Sequence, residues 1–172
     1  MYRILSILPF SILILALCWG LVYKNYVKVD SRVEKAFHAK SSDILRSIVI
    51  DHQFNWFQRT SAMERYAQLA CSRSDSFLRQ VLEGTDISLR RGALAGCLTQ
   101  SIEKIGWVIP LGLQDSYSFN RYQTLRYLRS GEQHSRFQAL VEPLMRDSSS
   151  MVSNEARELL GMIDKVPLEI AQ

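Results

Sequence analysis

Residues 4–23, ILSILPFSILILALCWGLVY, form an unbroken run of 20 uncharged residues. In hydrocarbon every backbone polar group must find its partner within the segment, so such a run is stable there only as a helix. At about 1.5 Å per residue it spans roughly 30 Å, the thickness of a bilayer's apolar core. Tyr2, Trp19, Tyr23 and Tyr26 fall near its ends, where amphipathic rings favour the interface, and Pro9 disturbs only the first turns. A cleaved signal peptide is the competitor. The apolar run is long for one, and no small-x-small site follows it. Bulky Leu17 stands before Cys18, where a lipoprotein signal has a small residue. The sequence therefore predicts a tail at 1–3, a single-pass transmembrane signal anchor at 4–23 and a basic juxtamembrane segment at 24–40. A folded domain at 41–164 and a tail at 165–172 follow.

The net charge of +4 and pI near 9.1 point at first to nucleic acid. The distribution removes that reading. Of 21 basic and 17 acidic residues, Arg3, Lys24, Lys28, Arg32, Lys35 and Lys40 stand against Asp30 and Glu34 in the first forty positions. The remainder is balanced, so the excess sits beside the apolar run and not in the folded part, where a nucleic-acid site needs it. Lys24, Lys28, Arg32 and Lys35 are placed to meet anionic lipid headgroups. The same cluster favours a cytoplasmic C-terminal domain at a bacterial-type inner (plasma) membrane, with a periplasmic domain as the alternative. Cys71 and Cys97 lie among apolar helical positions, where two buried free thiols are the expectation and one disulfide the alternative.

Only eight Gly and four Pro occur, few for a chain of many tight turns, and no useful alternating run suggests a strand. The periodicity predicts helices over about 30–51, broken by Ser41-Ser42-Asp43, and from Asn55 to Cys71. A short helix capped by Ser74 or Asp75 stops at Gly84. Asp86 caps the next, whose Leu89, Ala93, Leu94, Cys97, Leu98, Ile102 and Ile105 run at 3.6-residue spacing to Gly106. Trp107 to Pro110 reads as a connector or stunted helix, Tyr117 to Leu128 as a helix ended by Gly131, and Ser135–Met145 with Met151–Ile163 as a final pair.

These helices repeat. Leu89 and Ala93 match Val152 and Ala156 at an offset of 63, two units of 31–32 residues. One unit upstream falls Phe57 with Ser61-Ala62, and one unit downstream of Leu89 falls the aromatic helix around Tyr122. Helical pairs at such a period build α-solenoids. The strings FLRQVLEGTDISLRRGALAGCL and FQALVEPLMRDSSSMVSNEARELLGMI resemble the HEAT-repeat family in its short form of about thirty residues. The resemblance covers 41–164, is poor over 106–131, and departs at Ser153, where the family has Arg. It implies an all-α fold, an N-terminal transmembrane helix followed by a short α-solenoid of HEAT-like pairs, with an irregular helical bundle as the alternative. It also implies that second helices line a concave face, to which Arg59, Arg90 and Arg91 belong. These arginines could grip a partner's carboxylates, or pair within the chain with Asp86 or Glu64.

No chemistry announces itself. His38, His52 and His134 lack metal-ligand spacing, and no nucleophile elbow or phosphate-cradling loop occurs. Asp51 and His52 are neighbours that a helix points apart. Gly92 and Gly96 read as a close helix crossing. Glu155 and Glu158 read as a solvated face. Some short-form HEAT proteins are bilin lyases, but no residue here carries that activity across. The aromatic residues Tyr117, Phe119 and Tyr122 join the three arginines as candidates for partner binding. The sequence thus predicts a non-enzymatic, membrane-anchored scaffold without cofactor or metal that binds protein partners. The alternatives are a structural subunit of a larger envelope or secretion complex, and an enzyme using Asp51, His52 and His134.

Overall fold

The structure, a computed structural model, describes residues 31–131 and 134–163. These are helical, and no strand occurs among them. Helix α1, whose described residues are 31–38, leads into α2 (Ser42–Ile50) and α3 (Trp56–Ala70). Then come α4 (Ser76–Leu82), α5 (Ile87–Cys97), two short helices α6 (Ile102–Ile105) and α7 (Ile109–Leu113), and α8 (Ser118–Ser130). The chain closes with α9 (Gln138–Val141), flanked by 3-10 turns, and α10 (Ser150–Ile163).

Local chemistry sets these boundaries. Asn55 and Gln58 form a reciprocal capping box at the start of α3, each side chain accepting the other's backbone N–H. Asp75 caps α4 through the Leu78 N–H and also accepts the Tyr66 hydroxyl at 2.8 Å. Asp86 caps α5 through the N–H groups of Ser88 and Leu89. The pattern that predicts one helix from Asp86 to Gly106 is broken at Leu98–Ser101. There the Thr99 hydroxyl donates to the Gly96 carbonyl, competing with helix continuation. The Gln100 amide turns away to reach the carbonyls of Ala67 and Gln68 at the end of α3. The predicted Ser135–Met145 helix is likewise reduced to α9 between 3-10 turns, the second of which holds Pro143.

One apolar core runs through the helices. Val33 and Ala36 of α1 join Leu45, Met63, Leu78, Ala93, Ile105, Leu125 and Leu159 in it, so packed structure reaches back into the segment read as juxtamembrane. Leu89 and Val152, and Ala93 and Ala156, matched in sequence, are all buried. The tightest approach is between α3 and α5. A Cβ placed on Gly92 would lie 2.6 Å from the Thr60 carbonyl, and one on Gly96 would overlap the Glu64 carbonyl. Gly96→Ala should therefore destabilise by about 1–3 kcal/mol through forced helix displacement, despite alanine's better helix propensity. Gly161, on α10 with open space where its Cβ would go, supplies the contrast: Gly161→Ala should stabilise by up to about 1 kcal/mol. Urea unfolding of the two variants measures both.

Among the described residues no helix is long and apolar enough to cross a membrane. This corrects the expectation of a single-pass inner-membrane protein with a signal anchor. The stretch 4–23 on which it rested, with Lys24 and Lys28, lies outside the described residues. Of the residues assigned to lipid, Arg32 instead lies over the Phe54 ring at 5.5 Å. A second correction concerns the cysteines. Cys71 and Cys97 are bonded to each other, Cα atoms 5.5 Å apart, tying the ends of α3 and α5 together in the core.

Candidate interaction groove

Arg59, Arg90 and Arg121 stand 31 residues apart, each the fourth residue of its helix, α3, α5 and α8. Each reaches in two directions. Arg59 donates to the Val49 carbonyl at the end of α2 and lies 4.0 Å from Asp86, the cap of α5. Arg90 donates to the Gly84 carbonyl after α4 and makes two bonds to Asp115, at 2.9 and 3.1 Å, beside the start of α8. Arg121 donates to the carbonyls of Asp115 and Ser116 and grips Asp147 through two bonds of 2.7 Å, ahead of α10. The guanidinium fork matches a carboxylate in plane, which is why arginine and not lysine can serve both partners. The fourth residue of α10 is Ser153, and there Arg157 reaches the Met145 carbonyl.

The Arg90 and Arg121 forks sit in low-dielectric surroundings, whereas Asp86 beside Arg59 is exposed. The Arg90 and Asp115 side chains are 7% and 6% exposed, those of Arg121 and Asp147 13% and 7%. Burial alone would push the Asp115 carboxyl up. Hydrogen bonds from Arg90, Asn120 and the Tyr117 N–H, with the Arg90 charge, outweigh it and hold the group below the ordinary carboxylate range. Arg121 does the same for Asp147, helped by the Ser149 N–H. Tyr66 moves the other way, pushed up to about 12 by burial and by its bond to Asp75.

The forks remove Arg59 and Arg90 from the open surface that the sequence assigned them. Arg91 stays on it. Its guanidinium lies 4.8 Å above the Phe119 ring, Phe119 lies 6.2 Å from Tyr117 and 6.3 Å from Tyr122, and Arg126 covers Tyr122 at 5.9 Å. Next to this cluster a groove of about 530 Å³ crosses α3, α5 and α8, lined by Trp56, Phe57, Ser88, Arg91, Leu98 and Phe119 among others. Trp56 is 68% exposed at its mouth. Four of the six candidates therefore share one face. Trp56, Phe57 and Arg126 complete it, although sequence reasoning passed over them. A visible signal for Trp56 was its place immediately after the Asn55 cap, at the exposed first position of a helix.

Other candidates for chemistry are dispersed. Asp51 accepts the Gln53 N–H in the turn between α2 and α3, where His52 also lies, whereas His134 is in the 3-10 turn after α8. Among the described residues no group of three or more His, Cys, Asp or Glu could hold a metal ion. Glu155, expected on a solvated face with Glu158, is 7% exposed and lies 3.1 Å from Arg129, which also pairs with exposed Glu158. Comparison with protein-family models, with curated proteins and with solved structures finds no match to this chain.

Proposed function

We propose that the chain is a short scaffold of HEAT-like helical pairs, an α-solenoid, that binds a protein partner across α3, α5 and α8 and performs no chemistry itself. The observation that carries this reading is Trp56. A tryptophan two-thirds exposed beside an apolar groove leaves costly surface in water, and tryptophan with arginine dominates the energetics of protein interfaces. The repeat half of the reading is supported by the three arginine forks at a constant interval, each tying one helical pair to the next. A stack of pairs held in this way keeps its second helices rigid, and a rigid face loses little entropy on binding.

A photoreactive side chain at exposed Ala95, which lines the groove, tests the proposal in living cells. One dominant protein adduct is expected, and Trp56→Ala should cut its yield at least tenfold, as a hot spot of about 2 kcal/mol or more requires. Because Trp56 is exposed, the variant should unfold within about 0.5 kcal/mol of the wild type. An adduct indifferent to Trp56→Ala, or no adduct at all, would overturn the reading.

A further inference from the structure

The groove across α3, α5 and α8 is lined by one carboxylate, Glu64, and one guanidinium, Arg91. Among the described residues neither makes an ion pair, and Glu64 makes no side-chain hydrogen bond. That sets them apart from their neighbours. On the same three helices Arg59, Arg65, Arg90, Arg121 and Arg129 each find a carboxylate within the chain. Glu64 is also half-buried, and a partly desolvated charge is costly to leave unmatched.

The packing keeps the two charges apart. Gly92 sits against the Thr60 carbonyl and Gly96 against the Glu64 carbonyl, so α5 runs alongside α3 in a fixed register. Arg91 therefore stands five residues, about 7.5 Å of helix rise, ahead of the level of Glu64. Its guanidinium is held over the Phe119 ring of α8 and not turned across to α3. The groove thus offers a carboxylate from its α3 wall and a guanidinium against its α8 wall. The rest of its lining includes apolar Phe57, Leu94 and Leu98, with Trp56 at the mouth. An occupant complementary to this surface carries both signs of charge beside an apolar group. Small-molecule sites enclose most of their ligand, whereas Trp56, Arg91 and Ala95 are exposed along this one, which favours a segment of a larger chain.

We propose that the groove takes a protein segment bearing one basic and one acidic side chain, the base meeting Glu64 and the acid meeting Arg91. This rests on the groove being a partner site. The backbone offset of the two charges sets how close the segment's own must be. An extended segment covers about 7.5 Å in roughly two residues and a helical one in about five. The two charged residues therefore lie within about five positions of each other.

The test uses the full chain in its own cells with a photoreactive residue at position 95, and maps the crosslinked partner segment by mass spectrometry. Glu64→Gln and Arg91→Gln should each lower the adduct yield at least about fivefold, since each removes a charge-assisted contact. The mapped segment should hold a Lys or Arg and an Asp or Glu within about five positions. Reversal distinguishes recognition from a merely structural role. Glu64→Lys should abolish the adduct, and exchanging the segment's basic residue for Glu should restore it. A yield unchanged or raised in either neutral variant overturns the inference, as does a segment with one sign of charge or a reversal that rescues nothing. If Trp56→Ala still removes the adduct in those cases, the groove reading stands without it. No protein adduct at position 95, or an adduct to nucleic acid or lipid alone, removes both.

Discussion

Asp115→Ala is expected to destabilise the chain by about 3–5 kcal/mol, because it leaves the Arg90 guanidinium buried without its counter-ion. Only the Gly84 carbonyl and the Ser116 hydroxyl would then remain to it. Asp115→Asn keeps an acceptor but loses the charge and should fall between the two. Arg91→Ala, which removes an exposed guanidinium with no ion pair, should stay within about 0.5 kcal/mol of wild type. Urea unfolding of the three variants orders them, and an Asp115→Ala effect no larger than that of Arg91→Ala would mean the fork carries no stability. Acid gives the same result by another route. Asp115 and Asp147 are held below their ordinary values in the folded chain, so above about pH 4 both states are ionised and the stabilisation is fully present. As pH falls through that value the unfolded chain takes up protons first and the stabilisation is lost. The unfolding midpoint should thus be flat near neutrality and drop below about pH 4, less steeply in the Asp115→Asn variant.

Replacing both cysteines, Cys71→Ala with Cys97→Ala, should cost about 3 kcal/mol, since the bond closes a loop of sequence separation 26 and limits the unfolded chain. Alanine at both sites avoids the unpaired hydroxyls that serine would leave in the core. The effect should vanish when the wild type is compared under reducing conditions strong enough to open the bond. A buried structural disulfide also speaks about surroundings, because such bonds form and persist in oxidising compartments. Thiol alkylation at the moment of lysis, followed by peptide mapping, should find Cys71 and Cys97 unmodified until a reductant is added. Free thiols at both positions would contradict the bond.

Helix identity was legible because apolar spacing and caps act locally. Asn55, Asp75 and Asp86 each mark a helix start in the sequence and each caps one in the structure. The Gly92–Gly96 crossing was also legible, since two glycines one turn apart amid charged neighbours have little other use. What escaped was decided between distant segments. Arg90 resembled a surface charge because its partner, Asp115, lies 25 residues on, past two short helices that no periodic pattern announces. The 31-residue interval of Arg59, Arg90 and Arg121 was in plain view, but it acquires meaning only when three aspartates are found within reach. Cys71 and Cys97 looked like buried thiols because apolar surroundings suit either state, and only the meeting of the ends of α3 and α5 distinguishes them. Trp56 is the first residue of α3 and exposed, which apolar spacing alone does not reveal.

Amide hydrogen exchange of the full chain, alone and with the partner captured at Ala95, tests the central claim most directly. The account predicts added protection concentrated in the first turns of α3, α5 and α8, with Trp56→Ala abolishing it and α2, α4 and α9 unchanged. Protection on α2, α4 and α9, or none anywhere on binding, would contradict it.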